Sequence, residues 1–174
     1  MKRALFIAIT SFLFTSSVFA NKALTAQTQP SYGSFFDSLI MKESSGDNNA
    51  IGDKKLADHA YGCLQVRKPC LIDVNKRFGT RYQPQDMLGN RSLSVWVCQK
   101  YLEMYATRTV LGREPTDEDR ARIWNGGPLG AFDGGAINKY GTLMKDPVKR
   151  QKLARQQANA KRYAADVMKK IGKK

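Results

Sequence analysis

Leu93, Val97, Tyr101 and Tyr105 recur every four residues, with Trp96, Leu102 and Met104 beside them, and no other segment restricts the fold as much. That spacing is the period of an amphipathic α-helix. It predicts a long central helix from about Ser92 whose aromatics belong to the core. A helix so apolar must be covered by other elements, and the chain supplies them. Phe35, Phe36, Leu39 and Ile40 share helical spacing behind Ser34 and Asp37, which read as a capping box, and the 45–49 stretch ends that helix. Pro69 suits a helix's first turn, and Leu71, Ile72, Val74, Asn75 and Phe78 carry that helix to Gly79. Thr116 before Asp117-Glu118-Asp119 caps another helix, which runs through Ala121 and Ile123 to Trp124 and stops at Gly126-Gly127-Pro128. Residues 49–66 are Gly-punctuated and suit short strands and turns; residues 130–141 read as loop. The expected fold class is mainly α, with no internal repeat.

The chain's start has a different character. Lys2 and Arg3 precede an apolar run over 4–14, and Ser16-Ser17-Val18-Phe19-Ala20 ends in small residues. Residues 1–20 therefore read as a secretory signal peptide, cleaved after Ala20, with residues 21–34 a polar, flexible leader. A membrane anchor is the rival, but the apolar run falls short of the roughly 20 residues a span needs. No later segment is apolar enough to cross, so no stable membrane span is expected after cleavage. The expected location is periplasmic or extracellular.

Charge then points to a partner. Lys and Arg number 29 against 15 Asp and Glu, a formal net charge of +14. Such an excess implies something anionic. For an exported chain, anionic cell-wall polymers with their lactyl-peptide carboxylates fit better than nucleic acid, which the chain has no Arg/aromatic module to read. The charge is densest over 145–174, a basic helix with Ala160, Tyr163, Ala164, Val167, Met168 and Ile171 on one side. It reads first as a helix docked on the domain with its charges solvated, and second as a wall-binding element.

Cys63, Cys70 and Cys98 are the only cysteines and His59 the only histidine. An oxidising compartment permits one disulfide and leaves one thiol over. No Cys-x-x-Cys or Cys/His pairing exists, so a zinc site or a Ser-His-Asp triad is poorly supplied. No metal and no cofactor is expected.

The chemistry gathers around one glutamate. Phe36, Ile40 and Glu43 fall at i, i+4 and i+7, so Glu43 continues its helix's apolar face. Burial and the negative end of the helix dipole both disfavour its ionised form. A glycosidase's acid needs that property near neutrality. A solvated glutamate at a fraying helix end is the plainer alternative.

Glu43-Ser44-Ser45, Gly62-Cys63-Leu64-Gln65-Val66 and Trp124-Asn125-Gly126-Gly127 resemble, in order, the Glu-Ser, Gly-x-x-Gln and Asn-x-Gly signatures of lysozyme-like lytic transglycosylases. The string over 121–130, Ala-Arg-Ile-Trp-Asn-Gly-Gly-Pro-Leu-Gly, is more specifically similar to invertebrate-type (destabilase) lysozymes and their bacterial relatives. The resemblance covers about residues 35–140. It implies an α+β lysozyme-like domain over 35–144, with a small β or loop lobe and a glycan cleft, followed by the 145–174 helix. It implies Glu43 as general acid and a second carboxylate before the Gly-x-x-Gln turn, for which Asp53 is the better match and Asp58 the alternative. Substrate contacts are then expected from Tyr61, Gln65, Trp124, Asn125, Gly126 and Tyr140, with Asn125 serving either substrate or the turn. The chain departs from these relatives in its few cysteines and in Gly141 after Tyr140.

The leading expectation is a secreted, monomeric muramidase acting on peptidoglycan glycan strands. A lytic transglycosylase, in which the muramyl 6-hydroxyl attacks in place of water, is its rival. A non-catalytic wall-binding or assembly protein is the reading from another class.

Overall fold

The computed structural model describes residues 33–172; the signal-peptide reading and most of the 21–34 leader lie outside them, as do Lys173 and Lys174. Among the described residues the fold is mainly helical, with one two-stranded sheet. The helices are α1 (Gly33–Glu43), α2 (Lys68–Phe78), α3 (Arg91–Tyr105), the single turn α4 (Arg108–Leu111), α5 (Asp117–Gly126) and α6 (Pro147–Ile171). Strands β1 (Ile51–Gly52) and β2 (Ala60–Tyr61) pair antiparallel, Ile51 opposite Tyr61 and Gly52 opposite Ala60. No described helix is long and apolar enough to cross a membrane.

Local sequence explains most of the helix ends. Thr116 and Asp119 form a reciprocal capping box on α5, satisfying two N–H groups the helix cannot. Asn90 caps α3 by accepting from the Leu93 amide, and Asp146 caps α6 by accepting from Val148 and Lys149. Gly79 closes α2 in the left-handed conformation. At α1 the capping expectation fails. The helix starts at Gly33, so Ser34 lies inside it, with its carbonyl taking the Ser38 hydroxyl, while Asp37 pairs with Arg91 at 2.8 Å.

The core is built where α1, α3 and α5 meet, from side chains including Phe35, Leu39, Ile40, Leu64, Val97, Leu102 and Ile123. Each fully buried Leu, Ile or Phe adds about 1.5–3 kcal/mol over its exposed state. Helix α6 lies against α5 and α1 and contributes Leu153, Ala160, Ala164 and Val167 to the interior. A Cβ on Gly126 would stand 2.8 Å from the Ala160 methyl, so glycine sets how closely α5 and α6 approach. The loop that follows is held by a buried Arg122, which donates to the carbonyls of Gly130 and Phe132 and pairs with Asp133 at 2.7 Å. Buried Gln157 of α6 holds its other side, accepting from the Gly135 amide and donating to the Leu129 and Ala136 carbonyls. Much of the 121–130 string therefore shapes a loop.

Candidate functional site

Glu43 is the last residue of α1, where the helix runs out beside the β lobe. The next residue fixes that junction. Ser44 donates its hydroxyl to the Cys63 carbonyl at 2.9 Å, tying the Glu-Ser step to the turn over 62–65. The Glu43 carboxyl lines a cleft of about 590 Å³ and accepts a hydrogen bond from the Tyr163 hydroxyl at 2.7 Å. Burial pushes its pKa above the ordinary carboxylate value of 4.5. Hydrogen bonds from Tyr163 and Trp124, and the charges of Arg67 and Lys42, oppose that rise without cancelling it. Tyr163 is itself raised, by burial and by the facing carboxyl, and stays a donor.

The β lobe supplies a second wall. Asp53 follows β1 with φ of 52°, a left-handed conformation that aspartate tolerates better than most residues. Its carboxylate lines the same cleft and is ion-paired with Arg67. Arg67 therefore acts on both acids, pairing with one and lowering the pKa of the other. Gln65, also left-handed at φ 52°, donates its side-chain amide to the carbonyls of Gly62 and Ala50. It thereby bolts the turn to the approach of β1. A Cβ on Gly52 would fall 2.0 Å from the Gln65 amide oxygen, so any larger residue there would displace the Gln65 side chain.

Helix α5 closes the cleft. Trp124 and Asn125 line it with Gly127, and Trp124 packs edge-on against Tyr101 of α3 with ring centroids 6.0 Å apart. Of the residues expected at the site, Glu43, Asp53, Gln65, Trp124 and Asn125 come together around this one cleft. Tyr61, Gly126 and Tyr140 are not part of its lining. Tyr61 sits in β2, partly buried against the core, its hydroxyl taking a 3.4 Å contact from Gln85. Gly126 is spent on the α5–α6 contact. Tyr140 is 82 % exposed on a turn organised by Asn138, with Lys139 over its ring. Asp58 is exposed outside the lining, and His59 packs near Tyr61.

Sequence reasoning missed Tyr163, Arg67 and Gln156. Tyr163 was legible only as one apolar-side residue of a distant helix, and Arg67 carried no motif. Gln156 reaches the cleft from α6 and donates to the Gly126 carbonyl at 2.9 Å. The cysteines correct a second expectation, since Cys63, Cys70 and Cys98 are all thiols. Cys63 and Cys98 fill the core as small apolar side chains, and Cys70 lines the cleft. Burial, aided by Asp73, pushes the Cys70 thiol up to about 12, which disfavours the reactive thiolate. Among the described residues no group of three or more His, Cys, Asp or Glu is arranged to hold a metal. Comparison with protein-family models and with curated proteins gives no match for this chain.

Proposed function

We propose that this chain is a lysozyme-like, peptidoglycan-cleaving glycosidase, a muramidase with Glu43 as general acid. One observation carries the reading: a cleft-lining carboxyl whose pKa is raised by burial and whose oxygen is fixed by a phenol from another helix. A retained proton at a fixed position is what protonation of a glycosidic oxygen requires. As the bond from the anomeric carbon to that oxygen breaks, positive charge develops on the sugar ring. Asp53, ion-paired with Arg67, would stabilise that charge or form the glycosyl intermediate. Glu43, now a carboxylate, would take a proton from the incoming water and return to its starting state. Trp124 and Asn125 offer a flat apolar face and an amide to the sugars. The export reading and the excess of Lys and Arg over Asp and Glu suit an anionic wall as substrate.

The Arg67–Asp53 pair favours a second reading. A carboxylate already neutralised by a guanidinium is a weaker partner for an oxocarbenium-like centre, and a lytic transglycosylase needs no second carboxylate. The test is to incubate the purified chain with peptidoglycan and resolve the products by mass. Reducing ends support the hydrolase, anhydro ends the transglycosylase, and no release supports a wall-binding protein. Glu43→Gln should fold and lose roughly 10²–10⁴ in rate; unchanged turnover in a folded variant would exclude Glu43 as the acid.

A further inference from the structure

Helix α6 carries two distinct stripes. Leu153, Gln157, Ala160, Ala164 and Val167 face the interior. Val148, Gln151, Lys152, Arg155 and Asn159 recur at steps of three and four on the exposed side, where with Gln156 they line a hollow of about 470 Å³. Gln156 stands between the stripes, one hollow on each side, since it also lines the cleft that holds Glu43. The two hollows are therefore neighbours that share a wall residue.

The outer hollow has the chemistry of an anion site. Among the described residues neither Lys152 nor Arg155 has a carboxylate within ion-pair distance, whereas most arginines of α3 to α5 do. The nearest acid along the helix, Asp146, is engaged in capping the Val148 and Lys149 amides. Gln151 and Asn159 add amides, and Val148, 75 % exposed, adds an apolar edge.

We propose that this hollow is a subsite for the carboxylates of the short peptides borne on the glycan strand, holding them while the sugar backbone occupies the cleft. The inference rests on the muramidase reading for the identity of the strand. Val148 would meet an apolar peptide side chain, and Lys152 with Arg155 the carboxylates. Two exposed charge pairs of ordinary strength amount to about three- to tenfold in affinity at moderate salt.

The test uses the full chain carrying Glu43→Gln, so that the ligand is not consumed, and fluorescence anisotropy with labelled glycan oligomers. One set bears peptides and the other has been stripped of them. Peptide-bearing oligomers should bind about three- to tenfold tighter, and Lys152→Gln with Arg155→Gln should abolish that advantage while leaving stripped oligomers unaffected. Equal affinity for the two sets, or an advantage that survives the double substitution, would overturn the subsite. Cleavage by the chain with Glu43 intact is read separately. Peptide-dependent binding without cleavage keeps the subsite and removes the enzymatic reading, whereas cleavage with equal affinities keeps the enzyme and removes the subsite.

Discussion

Tyr163 of α6 donates its hydroxyl to Oε1 of Glu43, the last residue of α1, at 2.7 Å across 120 residues of chain. The contact joins α6 to α1 and holds the carboxyl from the side of the protein. A second clasp reinforces it, as Lys42 pairs with Asp166 at 2.6 Å and lies 5.8 Å from the Tyr163 ring centre. The C-terminal helix is thus part of the site's frame.

Tyr163→Phe removes a donor that favours the ionised carboxylate, so the Glu43 pKa should rise further. On the proposed mechanism protonated Glu43 is the working acid, and its loss would define the alkaline limb of the activity profile. That limb should move to higher pH in Tyr163→Phe. The turnover number should fall by up to about 10²-fold as the carboxyl loses its fixed position. A kcat/KM profile against pH checks both; an unmoved limb would show that the phenol does not govern the acid.

The same residue makes stability depend on pH. Glu43 ionises near 4.5 in the unfolded chain and higher in the folded one. Stability from this group is full below 4.5 and lost as pH rises through the folded value, because only the unfolded state ionises freely in that window. Glu43→Gln cannot ionise and should unfold at a higher temperature than the parent at pH 7. The difference should disappear near pH 4. Parallel thermal melts at the two pH values decide it, and a parent that is more stable at pH 7 than the variant would contradict the sign.

Gly126→Ala places a methyl 2.8 Å from the Ala160 Cβ, and neither backbone can yield without separating α5 from α6. The expected loss is about 1–3 kcal/mol. Ala160→Gly should relieve it, so the double variant should be more stable than the two single costs added together. Urea titrations of the four chains give the coupling, and strict additivity would show that the two residues do not meet.

How far the sequence speaks depends on the range of the interaction. Helix positions follow from local periodicity and caps, which is why Thr116, Pro69 and Gly79 mark ends that the structure keeps. Glu43, Gln65 and Trp124 were legible because each sits in a short motif. Tyr163 was not, because its partner is 120 residues away and its own neighbourhood reads only as an amphipathic stripe. The 121–130 string mixes two jobs that spacing alone does not separate. Trp124 and Asn125 face the cleft, while Arg122 and Gly126 hold the loop and the helix contact. Tyr140 has an aromatic's promise in sequence, but the turn at Asn138 directs it to solvent.

Asp53 and Arg67 provide the sharpest test of mechanism, because Arg67 pairs with Asp53 and also lowers the Glu43 pKa. Asp53→Asn removes the carboxylate and leaves Arg67 uncompensated. The freed guanidinium should lower the Glu43 pKa and shift the alkaline limb to lower pH, opposite to the Tyr163→Phe shift. Arg67→Gln removes the charge that favours ionised Glu43 and should shift the limb upward. On the hydrolase reading Asp53→Asn also costs most of the turnover, while Asp58→Asn, altering an exposed group outside the cleft, costs little. The two aspartate variants, assayed on one substrate with products resolved by mass, separate the cases. Loss confined to Asp58→Asn would transfer the role to Asp58. Activity kept in both variants with anhydro ends released would leave Glu43 as the sole acid and base of a transglycosylase.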